Sequence, residues 1–131
     1  KKKRYKFYIS NNLKLAKKLK ADGLYIPAFN NKLMFRNINV NKNFLLIGSA
    51  HNQVEIKLKL AQGCKGIFLS PLFQTKKKKG YLGVCRFNMA TLNHKTKFIA
   101  LGGISESNLR YLKMLNAYGI AGISYFKKKP A

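Results

Sequence analysis

Acidic residues are almost missing from this chain. Its 131 residues include three of them, Asp22, Glu55 and Glu106, against 27 lysines and arginines, which gives a formal net charge of +24. The two cysteines, Cys64 and Cys85, are too few for a disulfide framework and lack metal-ligand spacing, so we expect buried or partly buried thiols. No apolar run approaches the roughly 20 residues of a membrane span, and none near the start suits a signal peptide. The sequence therefore predicts a soluble, cytoplasmic protein that does not bind membranes.

The chain nevertheless contains enough apolar material for a packed core. Hydrophobic residues make up 47% of the sequence and aromatic residues 12%, which is too much for a disordered basic tail. A length of 131 residues suits one domain and leaves no room for a second core. We therefore expect residues 1–131 to form a single domain.

The basic excess suggests a nucleic-acid partner, because lysine and arginine side chains neutralise phosphates. However, 23 of the 27 basic residues are lysine, whereas bidentate recognition of phosphates and bases favours arginine. The 13 asparagines and 10 isoleucines share A/T-rich codons with lysine, so a biased genome accounts for much of the charge. Nucleic acid is therefore an unlikely partner and the weaker alternative. A phosphorylated small molecule is the partner that this surface favours.

Short apolar runs alternate with segments of helical periodicity along the chain. The apolar runs predict β-strands at residues 5–9, 23–26, 44–47, 66–70, 98–101 and 120–124. Helices are predicted over 13–19, after an N-cap and capping-box pair at Asn52 and Glu55, from about Phe87 to Asn93, and after Ser105. Residues 30–43 fit either a loop or a short helix. The alternation predicts an α/β fold with a parallel sheet covered by helices.

Small and polar residues follow the predicted strands at their carboxyl ends, where ligands bind in folds of this type. They are Ser10, Asn11, Asn30, Ser49, His51, residues 70–75, Gly102, Gly103 and Ser124. Two glycines before Ser105 allow close backbone approach, and a helix that begins at this serine favours an anion at its amino end. An ordinary tight turn explains this segment equally well. Likewise, the lysine-rich loop 74–80 is either a diphosphate-binding loop or a solvated one.

Ser49 and His51 follow the third predicted strand. A nucleophilic triad would also need an acidic residue to orient the imidazole. Asp22 falls at the opposite end of the sheet, and Glu55 and Glu106 are placed to stabilise the first turns of helices. We therefore expect His51 to order its loop or to contact a substrate. The same shortage of carboxylates argues against a magnesium site among these residues.

Taken in order, five segments make the chain resemble the thiamine-phosphate synthases and their sister group, the thiazole tautomerases. The segments are 21–26, 49–51, 70–75, 102–104 and 122–124, and the resemblance runs from about residue 7 to residue 126. It implies a (β/α)8 barrel of the TIM type that couples hydroxymethylpyrimidine diphosphate with a thiazole phosphate and releases diphosphate, with Mg²⁺ as cofactor. Pro71 stands where the tautomerases carry a catalytic histidine, which favours the synthase.

The resemblance also implies substrate-binding roles by position, while it leaves the catalytic residues unknown. Ser49 and Lys78 would contact the pyrimidine diphosphate. Thr75, Lys76 and Lys77 would line the thiazole-phosphate side, where Gly103, Ile123 and Ser124 would hold the phosphate. The other candidates at the strand ends are Ser10, His51 and Gly102.

Two positions depart from the pattern of the family. Where the resemblance implies magnesium-ligating aspartates, this chain has Asn11 and Asn30. Amide oxygens coordinate without a negative charge, so we expect Mg²⁺ binding to be weakened or lost. The alternative to a transferase is therefore a non-catalytic module, derived from that enzyme, that binds a phosphorylated ligand or has a regulatory role.

The six predicted strands are two fewer than a (β/α)8 barrel contains. We expect an incomplete barrel in which the first two βα units are missing from the chain. The alternative is an open barrel that needs a partner, such as a second copy of the chain, because an open parallel sheet exposes two strand edges.

Overall fold

The structure, a computed structural model, describes residues 5–37, 43–76 and 79–122. Its strands are β1 (Tyr8–Ser10), β2 (Gly23–Ile26), β3 (Leu45–Ala50), β4 (Gly66–Leu69), β5 (Lys97–Leu101) and β6 (Gly119–Ala121). The segments between them contain α1 (Leu13–Lys18), α2 (Gln53–Gln62) and α3 (Gly83–Thr91), together with 3₁₀ helices at Leu33–Asn37 and Glu106–Met114. The predicted alternation of strand and helix is confirmed. None of the helices in these ranges is long and apolar enough to cross a bilayer.

All six strands are parallel and pair in the order in which they occur along the chain. The register sets Ser10 opposite Tyr25 and Ala50 opposite Leu69, so the carboxyl ends of neighbouring strands reach the same edge of the sheet. Within the described ranges, β1 and β6 are the two outer strands of an open sheet. The predicted parallel α/β sheet is thus confirmed, and each helix returns the chain to the start of the next strand.

Side-chain caps explain where two of the helices begin. Oδ1 of Asn12 accepts a hydrogen bond from the N–H of Leu15 at 3.0 Å, and Oδ1 of Asn52 accepts one from the N–H of Glu55 at 2.9 Å. The second helix, α2, ends at Gly63, whose φ of +98° lies in the left-handed region. The N-cap predicted at Asn52 is therefore confirmed, whereas the capping box with Glu55 is not formed, because the Glu55 carboxylate accepts the N–H of His51 instead.

Several elements differ from the predictions, among them β3, which runs to Ala50 rather than ending at residue 47, and β6, which begins at Gly119. The first strand begins at Tyr8 rather than at residue 5, and the N–H of Phe7 donates to Oδ2 of Asp22 at 2.9 Å. The third helix begins at Gly83 rather than near Phe87, because a glycine, a poor helix former, hides this start in the sequence. The helix that precedes β6 has 3₁₀ geometry, which the apolar spacing does not distinguish from an α-helix.

The core lies between one face of the sheet and the helices that cover it. Its fully buried side chains include those of Leu24, Ile26, Ile56, Ile67, Leu69 and Phe87. The opposite face of the sheet forms a hollow of about 360 Å³, lined by Tyr8, Ser10, Tyr25, Ile47, Phe68 and Leu101. The rings of Tyr25 and Phe68 meet edge-on there, with centroids 6.1 Å apart. This face corresponds to the interior in a barrel of parallel strands.

Candidate functional site

Backbone hydrogen bonds tie together the loops that leave the carboxyl ends of the strands. The N–H of Asn11 donates to the carbonyl of Tyr25 at 2.8 Å, and the N–H of Leu72 donates to the carbonyl of Leu101 at 2.9 Å. These bonds extend the pairing of the sheet beyond its last strand residues. The candidate residues therefore lie along one edge of the sheet, which we call the carboxyl rim: Ser10, Asn11, Asn30, Ser49, His51, Thr75, Lys76, Gly102 and Gly103.

Asn11 and Asn30, which follow β1 and β2, are in contact at the rim. Nδ2 of Asn30 donates a hydrogen bond to Oδ1 of Asn11 at 2.6 Å. Oδ1 of Asn30 accepts one from the N–H of Lys32 at 3.0 Å. Asn11 has a φ of +57°, in the left-handed region that asparagine adopts more readily than most residues. The two positions of the implied metal ligands are thus brought together, as hydrogen-bond partners of each other.

These two amides do not fit a magnesium ion. Mg²⁺ prefers carboxylate oxygens in an octahedral shell, whereas both amide oxygens here already accept a hydrogen bond. Each oxygen has a second lone pair, but ligation by both would supply only uncharged ligands, and the cation would compete with the two N–H donors for them. In residues 5–37, 43–76 and 79–122, no group of three or more histidine, cysteine, aspartate or glutamate side chains is placed to hold a metal ion.

A buried lysine fixes the loop that carries Asn30. Lys59 on α2 is fully buried, and its Nζ donates to the carbonyl of Asn30 and to Oε1 of Gln62, both at 2.8 Å. Nε2 of Gln62 donates to the carbonyls of Asn30 at 2.8 Å and Lys32 at 2.9 Å. Burial is the main cause that lowers the pKa of Lys59. The sequence analysis did not single out Lys59. Its position three residues after the core residue Ile56 places both on the same face of α2, and this spacing could have indicated its burial.

Glu55 holds His51 where β3 leads into α2. Oε1 of Glu55 lies 3.0 Å from Nδ1 of His51 and accepts a hydrogen bond from the N–H of the same residue at 2.8 Å. Because a carboxylate only accepts, the contact places a proton on Nδ1 of the imidazole. The sequence analysis gave Glu55 only the role of stabilising the first turn of the helix. Its spacing of four residues from His51 could have indicated the contact with the imidazole. Ser49, at the end of the same strand, is buried.

Gly102 and Gly103 pack against the loop that follows β4. A Cβ added at Gly103 would lie 2.6 Å from the carbonyl oxygen of Phe73, and one at Gly102 would lie 2.9 Å from Cα of Pro71. The φ angle is +109° at Gly102 and +69° at Gly103. Both the lack of space and the backbone conformation therefore require glycine at these positions.

The start of the 3₁₀ helix Glu106–Met114 is tied to the same turn. Nδ2 of Asn108 donates to the carbonyl of Gly103 at 2.7 Å, while its Oδ1 accepts from the N–H of Ser105 at 2.9 Å. The hydroxyl oxygens of Ser105 and Ser107 lie 2.8 Å apart. The predicted N-cap at Ser105 thus fits the observed start of the helix, and a side-chain amide bridges the turn to it.

Thr75 and Lys76 extend from the loop after β4. The carbonyl of Thr75 accepts a hydrogen bond from Nε2 of Gln74 at 2.9 Å. Thr75 is half-buried and Lys76 is exposed. The preceding residue of this loop, Gln74, has its carbonyl oxygen only 2.7 Å from the position of a Cβ at Gly103. Of the residues predicted to line the phosphate side, Thr75, Lys76 and Gly103 therefore lie at the carboxyl rim. The other predicted residues, Lys77, Lys78, Ile123 and Ser124, lie outside the described residues.

The two thiols differ in their surroundings. Cys64 is buried, and burial raises the pKa of its thiol from 9.0 to about 11. Cys85 on α3 is exposed, so the expectation of a buried or partly buried thiol is wrong at this position. The helix presents Phe87 to the core, and Cys85 lies two positions away, on a different face.

Six parallel strands joined by helices define an α/β fold of the TIM-barrel type, and comparisons with known proteins identify the family. The family description that matches residues 1–126 is "Thiamine monophosphate synthase". The chain is 32% identical over 130 residues to a protein of Aquifex aeolicus that is provisionally named thiamine-phosphate synthase 2. It is 30% identical over 109 residues to the thiamine-phosphate synthase of Prochlorococcus marinus. The chain therefore belongs to the thiamine monophosphate synthase family.

A solved structure agrees with the fold. The thiamine phosphate pyrophosphorylase of Pyrococcus furiosus superimposes with a TM-score of 0.70 at 18% sequence identity, over 90% of this chain. The alignments cover 95% and 82% of this chain for the Aquifex and Prochlorococcus proteins. In the other direction, the chain spans 68% of the Aquifex protein, 31% of the Prochlorococcus protein and 56% of the Pyrococcus chain. Most of these relatives are thus considerably longer than the matched region.

Proposed function

We propose that the protein carrying this chain is a thiamine-phosphate synthase-type transferase. It couples hydroxymethylpyrimidine diphosphate with thiazole phosphate in thiamine biosynthesis. The observation that carries this proposal is the match of residues 1–126 to the family. Because the chain spans only part of most of the relatives described above, the activity is assigned to the whole protein.

The carboxyl rim is the proposed binding site for the phosphorylated substrates. The missing side chain at Gly103 lets the loop after β4 pack directly against this turn, with the carbonyl oxygen of Phe73 2.6 Å from the position of a Cβ, and so brings that loop to the rim. Lys76 provides a positive charge on the adjacent loop, and Thr75 provides a hydroxyl donor. We assign substrate contacts also to Ser10, Ser49, His51 and Gly102, and, on the sequence pattern, to Lys77, Lys78, Ile123 and Ser124.

The chemistry proposed for the rim is electrostatic. In the coupling, the bond between the pyrimidine methylene carbon and the diphosphate oxygen breaks, and the thiazole nitrogen supplies the electron pair of the new bond. Negative charge accumulates on the departing diphosphate. The ammonium groups of Lys76, Lys77 and Lys78 would stabilise that charge. No step is assigned to a metal ion, because the amides of Asn11 and Asn30 do not fit one.

A second candidate function is a non-catalytic module that binds a phosphorylated ligand. The hydrogen bond between Asn11 and Asn30 favours it, because the implied aspartates of a magnesium-dependent transferase are both replaced. The two functions share the same rim and differ in turnover. We also retain as proposals a cytoplasmic location, an incomplete barrel as the domain formed by residues 1–131, and a homo-oligomeric assembly.

The test is the formation of thiamine phosphate from the two substrates by the full-length protein, with and without Mg²⁺. We expect product from the wild type, loss of product in Gly103→Asp, and retention in the control Gly80→Asp. Gly80 also has a positive φ, of +89°, but a Cβ there would meet nothing within 4 Å. Saturable binding of thiazole phosphate without any product would favour the second candidate. If the wild type neither forms product nor binds the substrates, both candidates are wrong.

A further inference from the structure

We propose that the carboxyl rim binds its phosphorylated ligand without a divalent cation, and that the Asn11–Asn30 amide pair takes the place of a metal site. The inference rests on the proposed function for the presence of a phosphorylated ligand. It goes further in assigning to this chain a metal-independent mode of anion binding, with diphosphate as the ligand class.

The first observation is that both side-chain amide oxygens already accept a hydrogen bond. Oδ1 of Asn11 accepts the 2.6 Å bond from Asn30, and Oδ1 of Asn30 accepts the N–H of Lys32. A cation held by both oxygens would gain two uncharged ligands and would compete with these donors for them. Mg²⁺ gives up its hydration water reluctantly, so two neutral oxygens are a poor exchange for it.

The second observation is the positive charge on the other side of Asn30. Nζ of Lys59 lies 2.8 Å from the carbonyl oxygen of Asn30, in a fully buried position. A buried ammonium and a divalent cation on the same short segment would repel each other. Lys59 therefore opposes a metal ion at this place while it fixes the backbone that carries the amide.

The third observation concerns the carboxylates of the chain, which could otherwise supply negatively charged ligands to a metal ion at Asn11 and Asn30. Asp22 accepts the N–H of Phe7 at the amino end of the sheet, and Glu55 accepts from His51. Glu106 begins the 3₁₀ helix Glu106–Met114. The chain has no fourth acidic residue. A magnesium ion at Asn11 and Asn30 would thus find no charged side-chain ligand among residues 1–131 other than these three carboxylates, each of which is placed elsewhere.

Replacing two aspartates and a magnesium ion by two asparagines leaves the net charge of this part of the rim unchanged. Two aspartates with one Mg²⁺ sum to zero charge, and two asparagines without a metal also sum to zero. The diphosphate then meets the same net charge at this part of the rim in both cases. In this chain its negative charge is left to lysines such as Lys76, which act as point charges.

The test measures binding of inorganic pyrophosphate to the full-length wild type by calorimetry, in EDTA and then in excess Mg²⁺. We expect saturable binding in EDTA, with a dissociation constant within about twofold of the value in Mg²⁺ once pyrophosphate complexation by the ion is corrected for. Binding that requires Mg²⁺ would overturn the inference and leave the proposed function intact. Absence of binding in both conditions would also overturn the inference, whereas the proposed function is decided separately by the formation of thiamine phosphate.

A double variant, Asn11→Asp with Asn30→Asp, tests the role of the amide pair. It should acquire Mn²⁺ binding, seen as loss of the free-ion signal in electron paramagnetic resonance, whereas the wild type should leave that signal unchanged. In EDTA its pyrophosphate affinity should fall about tenfold or more, because two negative charges then face the anion. Mn²⁺ binding by the wild type would contradict the inference.

The matched control is Asn43→Asp with Asn93→Asp, which adds the same charge at exposed turns before β3 and β5, at the opposite end of the sheet. This control should neither bind Mn²⁺ nor lose more than about twofold in pyrophosphate affinity, since charges this distant are screened by salt. If the rim variant does not fold, as judged by circular dichroism, the wild-type comparison between EDTA and Mg²⁺ still decides the inference.

Discussion

The side-chain amide of Asn30 donates a 2.6 Å hydrogen bond to the side-chain oxygen of Asn11, across 19 positions of sequence. The bond joins the ends of two neighbouring strands at the point where the family resemblance implies a magnesium ion. On the other side of Asn30, Lys59 and Gln62 both donate to its backbone carbonyl. This loop is therefore held by two side-chain donors, Lys59 and Gln62, and by one side-chain acceptor, Asn11.

Gly103→Ala should destabilise the fold. Its Cβ would lie 2.6 Å from the carbonyl oxygen of Phe73, and the φ of +69° disfavours any side chain. The strain and the clash together should cost about 2–4 kcal/mol in the free energy of unfolding, measured by urea denaturation. Gly80→Ala, with a φ of +89° and open space around it, isolates the backbone term and should cost about 1 kcal/mol. Equal losses in the two variants would show that the packing against Phe73 contributes nothing.

Lys59→Ala should destabilise the protein far more than an alanine elsewhere on the same helix. The substitution removes a buried aliphatic stem and the donor to Asn30 and Gln62. We expect a loss of about 2–4 kcal/mol in the free energy of unfolding. Amide hydrogen exchange should also become faster in residues 27–32. Lys57→Ala, on the exposed face of α2, should change stability by no more than about 0.5 kcal/mol; similar losses in both would contradict the anchoring role.

The stability of the protein should fall at alkaline pH because of Cys64. Burial raises the pKa of this thiol from 9.0 to about 11, so the native state holds its proton more tightly than the unfolded state does. This contribution is fully present below about pH 9 and is lost as the pH rises to about 11. The loss should be about 2–3 kcal/mol relative to Cys64→Ala, measured by urea denaturation across this range. Cys85→Ala should retain the wild-type dependence, and a flat difference between wild type and Cys64→Ala would refute the effect.

Thiol labelling should distinguish the two cysteines. Alkylation requires an accessible thiol, which Cys85 provides, whereas Cys64 is buried and its pKa is raised. Iodoacetamide near neutral pH should therefore modify one thiol per native chain and both in denaturant, as counted by mass spectrometry. Peptide mapping should place the native label on Cys85, and rapid native labelling of Cys64 would show that its burial is only transient.

Much of the fold could be predicted because its signals are local. The apolar run 44–47 reports a buried strand, and Asn52 reports the start of a helix through its own side chain. The exact start of α3 could not be predicted, since the helix opens on Gly83, a residue that usually ends helices. The 3₁₀ geometry after Ser105 likewise depends on packing that a single sequence does not encode locally.

The site was less predictable for two reasons. Its main contacts join residues that are far apart in the sequence, and some of them depend on one residue among many of the same type. The rim position of Asn11 and Asn30 followed from the strand order, but their hydrogen bond depends on the β1–β2 register. Lys59 is one of 23 lysines, and only the three-dimensional structure separates it from those on the surface. Glu55 was assigned to one role, whereas its carboxylate serves His51.

The pairing of β4 with β5 continues past the last strand residues, through the bond from Phe73 to Gly102. The base of the loop that carries Thr75 and Lys76 is therefore built into the sheet itself. Under the proposed function, the Lys76 cation that projects from such a base needs little ordering when an anion binds, so less of the binding energy is spent on immobilising the loop. An insertion of a few residues before Thr75 would therefore raise the cost of ordering the loop, although it would leave unchanged every side chain that is proposed to contact the ligand.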